Sequence, residues 1–515
     1  MRRPIAALLL VCALSFWLFI ARGAFGLPGQ WVLTPNARFW PVGGWLLPLG
    51  VVLLFGGAAA LSIYDRFRRA KNDQEKRNST LTALFCLAIV AFLWPWALLG
   101  PGSISQSDTR GGAPRLTLEG RFNIIAAQWS EVATEYFGVA HQIQNPRDFG
   151  REYAQKWQNP PSRYQAHVAT HPPGAVLWFY GARRVYEGVP ALKNGFESLA
   201  VTLTGQKLDE MREGASVLRV SSSRGIGAPD PPELPTSAIG GALWTAFLLG
   251  FSLVLAIPAV HGLAHGGENN DASEIRGLFA VGLWILAPTF NLFAFTLDAL
   301  VATGTIWTLF LFSRGLQNSA RARIWMFGAG AIWALTSFLS FGALSVAAIL
   351  VLTLAIFQRA QLIPRILEIG AAFLAVWLVL ALVFAFNPLE VFFNAMREHR
   401  AATLQIRSWM LWIPMNLVMW APFAGFALIV CLFRRGKPQN IGAQIGLCAL
   451  LTLLFLSFSG NVRGEVERLW LFLLAPIAIY AASGDFSPRV RAALLGLQAL
   501  QTLLMAATLA PLVRP

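Results

Sequence analysis

Residues 236–261 read TSAIGGALWTAFLLGFSLVLAIPAVH, with no Asp, Glu, Lys or Arg among them. A helix of this length, rising 1.5 Å per residue, crosses the roughly 30 Å hydrocarbon core of a bilayer. A segment apolar all round must be buried in protein or in lipid. Composition decides between the two. Of 515 residues, 56% are apolar and 13% charged, against about 45–50% and about 25% in soluble globular chains. That balance excludes a soluble enzyme, a disordered chain and a fibrous one.

Outward from this stretch, similar apolar runs lie at 5–25, 44–63 and 80–99 on the N-terminal side. On the C-terminal side they lie at 277–293, 296–313, 324–342, 344–357, 366–386, 411–433, 440–459, 469–484 and 490–511. The prediction is an all-α polytopic membrane protein of about 13 transmembrane helices. Its first run follows Met1-Arg2-Arg3 and reads as an uncleaved anchor, since no small-x-small site closes it. Three parts are expected: a membrane segment at 1–99, a loop region at 100–235 and a helix bundle at 236–515.

The net charge is +15. Its basic residues cluster on alternate loops, so the positive-inside bias explains the excess and nucleic acid is not implied. Loop 64–79 (YDRFRRAKNDQEKRNS) is the strongest cluster; Arg314, Arg321 and Arg323, Arg359 and Arg365, Arg434, Arg435 and Lys437, and Arg489 and Arg491 follow. This places the N-terminus in the cytoplasm and loop 100–235 outside. Loop 262–276, with Glu268, Asp271 and Glu274 against Arg276, departs from the pattern. Half of the 26 acids fall in loop 100–235, and Asp298, Glu390, Glu398, Glu465 and Glu467 fall at the outer ends of spans. Acids so placed suggest an active site at the outer surface rather than a transport path at the midplane. Cys12, Cys86, Cys431 and Cys448 all lie in apolar runs, without disulfide or zinc spacing.

Within the large loop, 123–142 has helical apolar spacing and reads as an amphipathic helix. Asn145-Pro146 is a helix-start signal, and 175–186 is too short to span. Glu131 and Glu135 lie one turn apart on that predicted helix, where a carboxylate can serve as a general base. Asp108, just after a span, is a further candidate base.

Two segments stand out. In the first, Tyr164-Gln-Ala-His167-Val-Ala-Thr170-His171-Pro172-Pro173-Gly174, the prolines hold His171 in an extended or turn backbone at a helix entrance. There an imidazole can donate to a phosphate or sugar oxygen. His167 and His171 have i, i+4 spacing, but the prolines end any incoming helix and no third ligand is near, which argues against zinc. The second runs from Gly460 to Trp470 and carries Arg463, Glu465, Glu467 and Arg468. Guanidinium groups hold phosphate bidentately, and the carboxylates can orient them or bind sugar hydroxyls. Asp298 sits between two apolar runs, where a charge needs a partner or a water-filled cavity. Each of these has a bland alternative: capping, a solvated face, boundary snorkelling or a structural ion pair.

Glu135-Tyr136-Phe137 with Ala140, and His171-Pro172-Pro173-Gly174, resemble two elements of the GT-C-fold membrane glycosyltransferases. That family includes the dolichyl-phosphate-mannose protein mannosyltransferases and bacterial lipid-sugar transferases. The resemblance covers about 60 residues at motif level. Family members usually carry Asp where this chain has only Glu131 and Glu135. Many have one span before the large loop, where this chain has three. The resemblance implies a GT-C-like fold and inverting transfer from a polyprenyl-phosphate sugar to an acceptor hydroxyl on a lipid, glycan or protein. A carboxylate would deprotonate the acceptor, and Arg468, Arg463 and His171 would stabilise the departing phosphate. It also implies an inner (plasma) membrane of a bacterium as the location. Some members use a divalent metal; no dense carboxylate cluster here demands one. A transporter or lipid flippase is the alternative, and an O-antigen ligase or polymerase and a membrane scaffold are further ones.

Overall fold

The structure, a computed structural model, describes residues 25–27, 31–33, 46–68, 72–99, 104–107, 115–118, 128, 136–158, 166–223, 233–267, 270–317, 319–433 and 438–508. The described residues are mainly helical, with two short antiparallel pairs, Phe25–Leu27 with Trp31–Leu33 and Ile104–Ser107 with Arg115–Leu118. Among the described residues eight helices are long and apolar enough to span a membrane. They are Leu46–Ile63, Asp73–Ala97, Ala238–His265, Leu297–Gln317, Ala322–Leu339, Arg359–Phe384, Ile441–Ser459 and Pro488–Thr508. The chain is therefore built as an integral membrane protein.

Exposure supports this. On Arg359–Phe384, Leu374, Leu378 and Leu382 are 67%, 61% and 66% exposed. Their i, i+4 spacing makes one continuous apolar stripe, which a water-facing surface does not tolerate. Ala238–His265 is instead central, packing against Asp73–Ala97, Asp271–Ile285 and Leu297–Gln317.

The expected count of about 13 spans is not reached among the described residues. The run at 5–25 lies outside them. The run at 411–433 forms two helices, Trp409–Ala424 and Phe426–Phe433, bent by 109°. Three further runs give short helices: Asp271–Ile285 followed by Pro288–Leu292, Val346–Phe357, and Leu471–Ala482. Every residue of Leu471–Ala482 is buried. It is apolar because neighbouring helices surround it, and hydropathy alone does not separate that from lipid.

Both breaks have their freed backbone groups satisfied by side chains, as membrane-buried irregular backbone requires. At the bend, Gly425 has φ 94°. Gln498 Nε2 donates to Ala424 O (3.0 Å), Gln501 Nε2 donates to Pro422 O (2.7 Å), and Phe426 N donates to Gln501 Oε1 (2.9 Å). A Cβ on Gly425 would lie 2.0 Å from Gln498 Nε2, so a side chain there would displace the glutamine. Before Pro288, Asn291 Nδ2 donates to Ile285 O and Ala287 O, and Thr502 Oγ1 donates to Leu286 O (2.6 Å).

The bundle has a basic end. Lys76 pairs with Asp271 at 3.3 Å, Gln317 Nε2 donates to Gly266 O (3.0 Å), and Gly266 packs on Asn440. This brings the exceptional loop 262–276 to the same end as loop 64–79. Two of its acids are locally matched, Asp271 by Lys76 and Glu274 by His265 (3.0 Å) and His261 (3.6 Å). Arg323 and Arg365 meet Glu368 at this end too.

The 100–235 region supplies helices Tyr136–Gln142, Pro146–Glu152, Ala166–Ala169, Gly174–Gly188, Pro190–Thr204 and Leu208–Ser223. Asn145 Oδ1 accepts from Arg147 N at 2.9 Å, capping the helix that starts at Pro146. Tyr136–Ala140 are all buried, so this part of the expected amphipathic helix packs into the protein instead of lying on a membrane surface. Gly174–Gly188 packs on the bundle. A Cβ on Gly174 would lie 2.1 Å from Phe338 O, so only glycine permits that approach.

Candidate functional site

Asp298 and Gln317 lie near opposite ends of one 21-residue helix, about 30 Å apart. Since Gln317 is at the basic end, Asp298 marks the other. There the two distinctive segments meet. Tyr136, His171, Thr296, Leu297, Asp298, Val301, Ser340, Arg468 and Leu469 line one cavity of about 20 Å³.

His171 is placed by its own backbone. Tyr153 OH lies within hydrogen-bond reach of both Val168 O (2.7 Å) and His171 O (2.9 Å), which share its single proton. Gln158 Nε2 ties Ala169 O to Val391 O. Pro172 and Pro173 then open the Gly174–Gly188 helix. The His171 ring stands edge-on to Tyr136, centroids 5.4 Å apart, and Nδ1 lies 3.2 Å from Thr170 Oγ1.

Asp298 occupies the first turn of its helix, where the peptide dipoles favour a negative charge. Its Oδ2 accepts from Thr296 Oγ1 (3.1 Å) and lies 3.5 Å from Arg468 Nε. Arg468 Nη2 also donates to Glu465 Oε2 (3.1 Å), while Glu465 Oε1 accepts from Arg407 Nη2 (3.0 Å). The side chains of Asp298, Arg468, Glu465 and Arg407 are 21%, 18%, 17% and 12% exposed. They form one charge chain in a largely water-excluded place. Burial opposes the Arg468 charge, but the Asp298 and Glu465 carboxylates outweigh it and hold its pKa above the ordinary arginine range.

The loop that carries Glu465 is clamped. Arg463 spends its guanidinium on the carbonyls of Gly460, Leu404 and Arg407. Arg407 Nη1 returns a hydrogen bond to Arg463 O. Asn416, fully buried, donates to Val462 O (2.8 Å) and accepts from Gly464 N (3.1 Å). The clamp holds Glu465 at φ 60°, a conformation a non-glycine residue adopts only when its surroundings impose it.

The structure thus brings together His171, Asp298, Arg468 and, through Arg468, Glu465. It does not bring Arg463 or Glu467 to the cavity wall. Arg463 fastens the loop, and Glu467 is buried with its backbone oxygen accepting from Thr289 Oγ1 (2.9 Å). His167 falls in the short Ala166–Ala169 helix. Glu131, Glu135 and Asp108 lie outside the described residues. Thr296, Ser340, Arg407 and Asn416 were not candidates from sequence. Arg407 is one of several charges in 387–410, Thr296 and Ser340 are hydroxyl residues at span ends, and Asn416 is a lone polar residue within an apolar run.

Among the described residues no group of three or more His, Cys, Asp or Glu is placed to hold a metal ion. Compared with known protein families, curated proteins and solved structures, the chain matches none.

Proposed function

We propose that the chain is a membrane glycosyltransferase. It moves a sugar from a polyprenyl-phosphate donor to an acceptor hydroxyl on a lipid, glycan or protein, at the extracytoplasmic surface and with inversion. The observation that carries this reading is the meeting of His171, Asp298 and Arg468 at one cavity on the end opposite the basic loops. By the positive-inside bias the basic end is cytoplasmic, so the cavity faces outward.

The chemistry needs two things. A carboxylate accepts the proton of the acceptor hydroxyl as its oxygen bonds to the anomeric carbon. The bond from that carbon to the phosphate oxygen breaks, and the lipid phosphate leaves with the electron pair. Arg468, which carries its charge in a low-dielectric place, is suited to that leaving phosphate, with His171 as a further donor. Glu465 and Arg407 hold Arg468 in position. Glu135, the residue before cavity-lining Tyr136, is the base this reading favours over Glu131 and Asp108. A cavity of about 20 Å³ has room for about one water, so the site opens to admit a sugar.

The test uses purified protein in nanodiscs, a radiolabelled polyprenyl-phosphate sugar and candidate acceptors. Sugar transfer with release of polyprenyl phosphate is expected, and Arg468→Ala and Glu135→Gln should each lower it by about 10²–10³-fold. Movement of the lipid-linked sugar across the bilayer with its phosphate bond intact would support the transporter instead.

A further inference from the structure

A second, separate cavity lies at the basic end, where two helical hairpins turn. Its volume is about 530 Å³, within the range of about 300–1,000 Å³ typical of small-molecule sites. Its walls carry Arg321, Arg323, Arg365, Gln361 and Glu368. Three guanidinium groups and one carboxylate line it. Glu368 is already engaged, 2.8 Å from Arg365 and 3.5 Å from Arg323. All three cations are arginines, whose planar fork matches phosphate oxygens, rather than lysines.

Two further observations point the same way. Ala322–Leu339 and Leu362–Phe384 both begin at this cavity, and neither has a side-chain cap at its N-terminus. Both therefore bring the positive ends of their dipoles to it. The first two turns of the same helices also carry Ile324, Ile363 and Leu367, which are 69%, 65% and 65% exposed. A charged pocket thus opens directly onto an apolar outer wall. A free phosphate needs only the pocket. A phospholipid uses both, with its headgroup phosphate in the cavity and its acyl chains on the isoleucines and the leucine.

We propose that the Arg321–Arg323–Arg365 cavity binds the headgroup of an anionic phospholipid. It is distinct from the Asp298–Arg468 cavity, lies at the opposite end of the bundle and does not depend on the proposed transfer activity. A lining of three guanidinium groups and one carboxylate favours an anionic over a zwitterionic headgroup.

The full-length protein is purified in detergent and titrated with phosphatidylglycerol, phosphatidylcholine or inorganic phosphate, and bound molecules are counted by native mass spectrometry. One phosphatidylglycerol is expected to be retained, and phosphatidylcholine is not. Arg321 and Arg323 are exposed, so an Arg321→Ala/Arg323→Ala double variant is expected to fold normally. At about 1 kcal/mol per arginine near a membrane surface, its phosphatidylglycerol affinity should fall on the order of 30-fold. Glu368→Gln, which removes the competing carboxylate, should tighten binding. Equal retention of the two lipids, or equal phosphatidylglycerol affinity in wild type and double variant, would overturn the proposal. So would inorganic phosphate binding as tightly as the lipid, which would make this a soluble-anion site.

Discussion

Replacing Arg468 by Met, a shorter unbranched residue without charge, should leave Asp298 as a buried carboxylate without its cation. Arg468 holds two acids, but the loss does not fall on them equally. Glu465 keeps Arg407 at 3.0 Å, whereas Asp298 keeps the Thr296 hydroxyl at 3.1 Å, a backbone N–H and its place at a helix N-terminus, but no cation. Removing one partner of a buried pair typically destabilises by about 3–5 kcal/mol. Here one carboxylate is orphaned and a hydroxyl still compensates it in part, so the low end applies. Protonation sets a ceiling: neutralising an ordinary aspartate at pH 7 costs about 4 kcal/mol, and less as pH falls. The predicted loss is therefore about 3 kcal/mol at pH 7, shrinking toward pH 5. Adding Asp298→Asn should restore most of it, because the orphan charge is gone. Thermal or denaturant unfolding of the two single variants and the double, in the same detergent, closes the cycle. A loss below about 1 kcal/mol for Arg468→Met, or a double variant no better than that single, would refute the assignment of this pair as buried and coupled. The proposed sugar transfer should stay low in the double variant, since restoring stability does not restore the guanidinium.

Three further predictions use other parts of the molecule. Gly174→Ala puts a Cβ 2.1 Å from the Phe338 carbonyl and should destabilise by about 1–3 kcal/mol in thermal unfolding, whereas Gly181→Ala, on the same helix with open space around it, should be neutral or stabilising by about 0.5–1 kcal/mol. Arg407→Lys keeps the charge but cannot reach both Arg463 O and Glu465; melting temperature and the proposed transfer activity should both drop, and an unchanged protein would show that the clamp does not position Glu465. Burial of Glu274 favours its neutral form, but the hydrogen bond from His265 and the charge of His261 outweigh this and lower its pKa from 4.5 to about 2. Its contribution to stability is therefore complete above about 4.5 and lost as pH falls toward 2, and acid unfolding of Glu274→Gln should lack that part of the wild-type slope.

The candidate site was half legible in the chain. His171 and Arg468 each sit in a segment whose local chemistry is unusual, prolines around one and dense charge around the other, and both line the cavity. Arg463 looked equivalent to Arg468 in sequence, because both are arginines in the same charged run. The difference is what lies opposite each. Arg463 meets the carbonyls of Gly460, Leu404 and Arg407, and Arg468 meets two carboxylates. Ser340 and Thr296 carried no signal at all, since a hydroxyl at a span end is ordinary until a cavity forms beside it.

The sequence by itself determined that residues such as 236–261 leave water as helices. Their side chains have no polar group to keep solvated, and in an apolar medium only a helix pairs every backbone group within the segment. It also determined, through its alternating basic loops, the two ends of the bundle. The tertiary structure decided which apolar helices meet lipid and which meet protein. Leu471–Ala482 and Leu362–Phe384 read alike in hydropathy, yet the first is buried throughout and the second shows a stripe of leucines. Hydropathy measures only transfer out of water, and the protein interior and the bilayer are nearly the same solvent by that measure. Packing alone also joined Asp298 to Arg468, 170 residues on in the chain, because the contact depends on how the helices between them pack.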